Sequence, residues 1–274
     1  MKKWINKIFI LITALLVTSC NDTANKINTP TLLLDNSLIT TNYDDAKISD
    51  YTIDINAQDV KQKIDSNESF FLFYHSHNCG ECLLLTPIMI RYVIDTRATL
   101  YSIDIHKAIY TIPGETPETS VVVTNENELQ SLNILDKKNN NVFCNSQHTC
   151  ESTPTLMFFN NGIYTSKQYG TANLLKYKTF KRFMDNHLRI SKTKMIKDNI
   201  STSETNPNII YYFNNDSLEK VELFKQIIDN DLDIILYDTS LYTSSIDSTI
   251  INYKDNSELI VTNTTTYDDI MAFI

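Results

Sequence analysis

The chain has 274 residues, with a hydrophobic fraction of 42% and a charged fraction of 21%, which is ordinary for a globular protein that buries a sizeable core. Its formal net charge of −9, with no arginine-rich stripe, argues against nucleic acid or anionic lipid as the main partner. Only four glycines are present, so each is expected to hold a defined backbone position.

The N-terminus indicates export. Met1-Lys2-Lys3 supplies positive charge, and Ile8–Val17 is an apolar run of ten residues, too short to span a bilayer and typical of a signal-peptide core. The run ends in Val17-Thr18-Ser19-Cys20, which resembles the lipobox of bacterial lipoproteins. That resemblance implies a signal peptide over residues 1–19, a diacylglyceryl lipid anchor on Cys20, and a location at the extracytoplasmic face of the cell membrane. An ordinary signal peptide with an incidental cysteine is the alternative.

Four cysteines remain once Cys20 is assigned to lipid, and an even number in an exported protein indicates disulfide chemistry. Of the three possible pairings, the simplest joins Cys79 to Cys82 and Cys144 to Cys150. The second pair is interpreted as a structural disulfide that closes a small loop. A relay that passes electrons to Cys79 is the alternative.

The predicted organisation begins with residues 20–50, in which the lipidated cysteine is followed by a polar, flexible stalk. A folded domain is predicted over 51–190, a polar linker over 191–207, and a smaller α/β unit over 208–274. The first half of this domain is expected to contain a short strand and a helix within 51–65, a buried strand at Phe70–Tyr74, a helix at about Cys82–Thr96 and a strand at Leu100–Ile105. An insertion follows at about 106–150, with a strand at Val121–Val123 and a helix near Glu126–Leu135. The domain is expected to end with a hairpin of Pro154–Phe159 and Ile163–Tyr169 and a helix at about Asn173–Ile190.

The smaller unit is expected to contain a strand at Ile209–Phe213, a helix at Ser217–Asp229 capped by Ser217, and a strand at Asp233–Tyr237. Two pairs of similar stretches, at offsets of 139 and 138 positions, suggest a decayed internal repeat of a βαβ core: Phe70–Tyr74 with Ile209–Phe213, and Val121–Asn125 with Leu259–Asn263. The second copy has no cysteines at the place that matches Cys79 and Cys82.

The Cys79-Gly80-Glu81-Cys82 motif carries the chemistry, because it follows an apolar strand and opens a helix. Unpaired backbone N–H groups and the helix dipole would point at the Cys79 sulfur and stabilise the thiolate relative to the thiol. Cys82, one helical turn later, is close enough to form the disulfide and to act as the resolving thiol. A purely structural disulfide and a metal site built from the His75-x-His77-x-Cys79 run are the alternatives.

Over residues 51–190 the sequence resembles the thioredoxin family. Besides the cysteine pair, the resemblance rests on positions at family spacing: Pro87 in the active-site helix, Thr153-Pro154-Thr155-Leu156 in the place of the cis-proline loop, and Gly162 and Gly170 in the last hairpin. It implies an α/β, thioredoxin-like three-layer fold with a central mixed sheet. It also implies that Thr153 and Pro154 hold the backbone of a bound substrate.

Three departures from the family pattern affect the chemistry. Asn78 replaces the tryptophan that often precedes the first cysteine, and Phe73 replaces a buried aspartate that accepts a proton in many thioredoxins. Glu81 is the third departure, since the family has proline or histidine at this position, and Gly80 and Glu81 are the residues expected to tune the redox pair. A carboxylate at Glu81 should disfavour the Cys79 thiolate and stabilise the disulfide, which favours a reductant or relay over a strong oxidant.

The sequence therefore predicts a membrane-anchored thiol-disulfide oxidoreductase that acts on disulfides of exported proteins with cysteines and is recharged by a membrane or extracytoplasmic electron donor. No cofactor, metal site or nucleic-acid partner is expected. The alternatives are a non-catalytic accessory or binding lipoprotein of the bacteriocin-transport accessory type, and a metal carrier.

Overall fold

The computed structural model describes residues 26–39, 46–114, 120–136, 140–143, 152–171, 173–196, 209–213, 218–239, 248–254, 256–262 and 264–274. The signal peptide over 1–19, the lipidated Cys20, the Cys144–Cys150 pair and the Ser217 cap lie outside the described residues. Among the helices of the described ranges, none combines the length and the apolar character that a membrane crossing requires.

The strands in the described chain are β1 (Ile27–Leu33), β2 (Ile53–Asp54), β3 (Phe70–His75), β4 (Tyr101–Asp104), β5 (Ala108–Ile112), β6 (Val121–Thr124), β7 (Thr155–Asn160), β8 (Ile163–Tyr169), β9 (Leu188–Ile196), β10 (Ile209–Phe213), β11 (Ile235–Asp238), β12 (Thr249–Asn252) and β13 (Ser257–Ile260). The helices are α1 (Asn36–Ile39), α2 (Ala57–Asp65), α3 (Gly80–Thr96), α4 (Asn125–Ser131), α5 (Tyr177–His187), α6 (Leu218–Asp229) and α7 (Tyr267–Phe273).

The first domain is built on a five-stranded sheet of order β2-β4-β3-β7-β8. Strands β2, β4 and β3 are parallel, whereas β7 and β8 are antiparallel to their neighbours. The chain passes from β2 to β3 through α2 and back to β4 through α3. Because connections between parallel strands are right-handed, these opposite directions of travel put the two helices on opposite faces of the sheet. The result is the predicted thioredoxin-like three-layer α/β fold with a mixed sheet.

The C-terminal unit repeats this arrangement. Its strands run in the order β9-β11-β10-β12-β13, again with three parallel strands followed by two antiparallel ones. The predicted equivalence of Phe70–Tyr74 and Ile209–Phe213 fits the strand orders, because β3 is third in β2-β4-β3-β7-β8 and β10 is third in β9-β11-β10-β12-β13. The equivalence of Val121–Asn125 and Leu259–Asn263 is wrong, because β6 lies in a separate two-stranded sheet while β13 matches β8.

Parts of the two polar segments that were predicted as a stalk and a linker form β-strands. Strand β1 lies within the stalk prediction of residues 20–50, and β9 takes up residues 191–196 of the predicted linker and continues directly from α5. The two strands pair in parallel at one edge of the second sheet. The polar composition of these segments predicted exposed, irregular chain, but Thr29, Ser191 and Thr193 are buried and form hydrogen bonds in the interior.

The insertion at about 106–150 contains a hairpin of β5 and β6 and the short helix α4. It is anchored to the first domain by Phe143, which is fully buried and whose ring centroid lies 6.1 Å from that of Tyr74 and 6.4 Å from that of Phe159. The position of Phe143 fixes the chain immediately before Cys144 against the sheet.

The larger of two hydrophobic clusters in the described chain runs through both units, and the smaller one lies in the C-terminal unit. The fully buried members of the larger cluster include Tyr51, Phe73 and Phe159 in the first domain and Tyr211 and Ile227 in the second. Leu32 of β1 belongs to the same core, so the N-terminal strand packs as part of the folded molecule.

Candidate redox site

The site forms at the carboxyl end of β3, a strand whose six residues Phe70–His75 are all buried. β3 lies in the middle of the sheet, between β4 and β7, which explains why it has no polar alternation. The chain leaves the sheet at Ser76, makes a short turn, and enters α3 at Gly80. Cys79 is the residue that caps this helix.

Cys79 and Cys82 form a disulfide, with Cα atoms 5.2 Å apart. The two cysteines differ in exposure: Cys79 is half-buried, whereas Cys82 is only 3% exposed. Of the two sulfurs, the one of Cys79 is therefore the more accessible from outside the protein, whereas that of Cys82 is enclosed.

The Cys79 sulfur sits at the start of a 17-residue helix. The backbone N–H of Cys82 donates to Cys79 Sγ at 3.1 Å, and the N–H of Cys79 donates to the carbonyl of Ser76 at 3.1 Å. Once the disulfide is reduced, the same N–H group and the positive end of the helix dipole favour a thiolate at Cys79. The first helical residue is Gly80, where an added Cβ would meet no atom within 4 Å.

The Thr153–Pro154 peptide bond is cis, and it leads directly into β7. Because β3 and β7 are antiparallel, with Tyr74 opposite Thr155, the end of β3 and the start of β7 lie at the same end of the sheet. The structure therefore brings the loop that bears Thr153 and Pro154 to the edge from which Cys79 emerges. Pro154 is buried and Thr153 is half-buried.

The Glu81 side chain reaches the loop that follows β8. Its Oε2 accepts a hydrogen bond from the Thr171 N–H at 3.2 Å, and the adjacent Gly170 N–H donates to the Pro154 carbonyl at 2.9 Å. Glu81 is thus linked through two backbone groups to Pro154.

A cluster of histidines surrounds the turn before Cys79. His77 Nδ1 lies 2.7 Å from Asp104 Oδ2, and His106 Nδ1 lies 2.9 Å from Ser76 Oγ. His75 is buried, and its ring stacks on Phe73 with centroids 4.9 Å apart. Burial lowers the pKa of His75 below its usual value, against the opposing effect of nearby carboxylates.

Sequence reasoning missed Asp104, the partner of His77, and also missed His106, which contacts Ser76. A usable signal existed, because β3 and β4 are parallel neighbours and the residues that follow them meet at one sheet edge. The Glu81 contact with Thr171 was also missed, and no local pattern indicates it.

The His75-x-His77-x-Cys79 run does not converge on one point. His75 is buried against Phe73, His77 contacts Asp104, and the two cysteines are bonded to each other. Over the ranges that the structure describes, no group of three or more His, Cys, Asp or Glu residues is placed to hold a metal ion.

No family model and no curated protein sequence matches this chain. Among solved structures, it is similar to oxidized thioredoxin O2 from Arabidopsis thaliana, with 14% identity, a TM-score of 0.30, and coverage of 59% of this chain and 96% of the plant protein. Oxidized mitochondrial thioredoxin 3 from Saccharomyces cerevisiae gives 10% identity, a TM-score of 0.29, and coverage of 51% and 99%.

The zinc-bound form of human ERp44 gives 12% identity and a TM-score of 0.30, over 81% of this chain and 56% of the human protein. With TM-scores near 0.3, these likenesses carry no argument about function. The chain's own strand order, its cysteine pair at the start of α3 and its cis-proline before β7 define a thioredoxin-like fold with a CXXC disulfide.

Proposed function

We propose that this protein is a thiol–disulfide oxidoreductase in which Cys79 attacks and Cys82 resolves. The observation that carries the proposal is the Cys79–Cys82 disulfide at the start of α3, with one cysteine accessible and the other buried. The nearby loop of Thr153 and Pro154 supports it, since that loop offers backbone groups to an extended substrate beside Cys79.

The reaction begins with the reduced pair. The Cys79 thiolate attacks one sulfur of a substrate disulfide, the substrate S–S bond breaks, and the leaving substrate thiolate takes up a proton. Cys82 then loses its proton and attacks Cys79 Sγ, which releases the second substrate thiol. The substrate is reduced by two electrons and the protein is left with the Cys79–Cys82 disulfide, which an external dithiol donor must reduce before the next cycle.

Trapping the mixed disulfide tests this proposal. Replacing the resolving thiol in Cys82→Ala should leave Cys79 covalently bound to substrate proteins, giving high-mass bands on a non-reducing gel that disappear with dithiothreitol. The Cys79→Ala/Cys82→Ala variant is the matched control and should show no bands. A clean gel for Cys82→Ala would count against the proposal, and full cellular function of a Cys79→Ser/Cys82→Ser variant would favour the accessory-protein alternative.

We further propose that the protein works outside the cell membrane, held by lipid on Cys20, on exported proteins that contain cysteines. The positive start, the short apolar run and the small residues before Cys20 support this location. A Cys20→Ala variant should move from the membrane fraction to the soluble fraction and lose radiolabelled lipid, while Cys144→Ala should retain both. Equal membrane retention of the two variants would contradict the anchor.

A further inference from the structure

Glu81 occupies the second variable position of the cysteine motif, and although the residue is exposed, its carboxylate makes a contact across the fold. Its Oε2 accepts the N–H of Thr171, a residue that is 90 positions away and only 9% exposed. A buried backbone N–H needs a hydrogen-bond partner, and in this structure the partner is a carboxylate from the redox helix.

The residue before Thr171 is Gly170, and its lack of a side chain leaves room for the Glu81 carboxylate. Gly170 has a φ of +60°, a conformation that other residues rarely adopt, and a Cβ at this position would lie 3.1 Å from Glu81 Oε2. A side chain at position 170 would therefore both strain the backbone and press on the carboxylate. Glycine lets the loop approach Glu81 closely.

The loop that contains Gly170 and Thr171 also forms hydrogen bonds with the cis-proline segment. The Gly170 N–H donates to the Pro154 carbonyl at 2.9 Å, and Tyr169 pairs with Thr155 in the β7–β8 register. Two consecutive backbone amides, those of Gly170 and Thr171, thus bind Pro154 and Glu81 respectively. The path from the redox helix to the cis-proline loop consists of two hydrogen bonds and one peptide unit.

We propose that Glu81 is a positioning residue, whose hydrogen bond to the Thr171 N–H sets the cis-proline loop against the Cys79–Cys82 pair so that a substrate strand held at Thr153–Pro154 meets Cys79. This role rests on the proposed exchange function. It differs from electrostatic tuning of the Cys79 thiolate, because it requires an acceptor oxygen and does not require a charge.

Two variants separate the two roles. Glu81→Gln removes the charge but keeps an acceptor oxygen, whereas Glu81→Ala removes both. We expect Glu81→Ala to lower kcat/KM for a disulfide substrate by about three- to tenfold, the usual size of one lost hydrogen bond. Glu81→Gln should retain at least about half of the wild-type value, and its redox equilibrium with glutathione should shift by less than about twofold. Glu258→Ala, an exposed carboxylate in β13, is the control and should match the wild type.

Amide hydrogen exchange of Thr171, measured on the oxidised whole chain, reads the contact without any turnover. Exchange should accelerate in Glu81→Ala and stay near the wild-type rate in Glu81→Gln. The proposal is overturned if Glu81→Ala leaves the exchange rate of the Thr171 amide unchanged. It is also overturned if Glu81→Ala and Glu81→Gln lower kcat/KM and shift the glutathione equilibrium by equal amounts, because the lost charge would then be the cause. If the wild type turns over no faster than Cys79→Ser, the exchange function itself fails, and the positioning role fails with it even where Thr171 exchange responds.

Discussion

Cys79 and Cys82 are three residues apart, yet the fold gives them different surroundings. Cys79 caps α3 at the edge of the sheet, while Cys82 points into the core on the first helical turn. For the proposed exchange, this placement predicts intermolecular attack at Cys79, followed by intramolecular attack by Cys82. The burial of Cys82 also keeps its own thiol away from other proteins, which leaves the neighbouring Cys79 sulfur as its target.

His75 gives the molecule a pH-dependent stability. Burial lowers the pKa of the folded His75, so between its unfolded value of about 6.5 and the lower folded value the unfolded chain binds more protons. Stability should therefore fall as the pH drops below about 6.5, and level off once the pH is below the folded pKa. A His75→Gln variant should show a shallower loss below about pH 6.5 in urea unfolding.

The direct check on this prediction is an NMR titration of the His75 ring. A midpoint at or above the usual histidine value would contradict the assigned effect of burial.

The cysteine pair was predictable from sequence because the signal is local: an apolar strand, two cysteines at helical spacing, and a helix. The partners of Glu81 and His77 were not, since Thr171 and Asp104 lie 90 and 27 residues away and reach the site only through the sheet topology. The sequence alone therefore predicts the cysteine pair, but not the tertiary contacts of the residues around it.

At the scale of elements, the β7–β8 turn docks on the end of α2. The Gly162 N–H donates to the Glu68 carbonyl at 2.8 Å, and Gly162 has a φ of +69°. A Cβ there would overlap the Ile64 carbonyl oxygen and lie 3.1 Å from the Asn67 Cα. The turn therefore has no room for any side chain.

Gly162→Ala should destabilise the protein by about 2–4 kcal/mol, since it combines a backbone clash with a positive φ. Gly80→Ala is the matched control: the added methyl meets nothing, and alanine favours the helix, so stability should be unchanged or rise by up to about 1 kcal/mol. Urea unfolding measures both. Equal effects of the two substitutions would contradict the described packing.

The elements found from sequence are those with a strong apolar signal. β3, β10 and the β7–β8 hairpin lie within a residue or two of their predicted bounds, because fully buried strands and an Asn-Gly turn are locally encoded. β9 was missed because polar Ser191 and Thr193 take interior positions and satisfy their hydrogen bonds there, a tertiary effect that alternation cannot reveal.

At the scale of the whole molecule, β1 joins the two units. It pairs with β9 of the second sheet, and it also contacts the chain between α3 and β4 of the first domain. In that contact, Thr29 Oγ1 donates to the Thr99 carbonyl at 2.7 Å, and the Thr99 N–H donates to the Pro30 carbonyl at 2.9 Å. Because the core is continuous across both units, we expect them to unfold together.

Leu32→Ala in β1 should cost about 2–5 kcal/mol of stability, because Leu32 is fully buried. Leu175→Ala, at a leucine that is 47% exposed, should cost well under about 1 kcal/mol. If urea unfolding gave the two variants equal stability, the N-terminal segment would behave as the stalk that its composition suggested, and the joining role of β1 would be wrong.

Of the two large mixed sheets in the described ranges, the five-stranded one carries the Cys79–Cys82 pair at the end of its middle strand. Dithiothreitol-driven reduction of insulin disulfides tests most directly whether Cys79 exchanges disulfides. The wild type should accelerate the reaction in proportion to its concentration, at least about tenfold over Cys79→Ser. Equal rates for the wild type and Cys79→Ser would contradict the account.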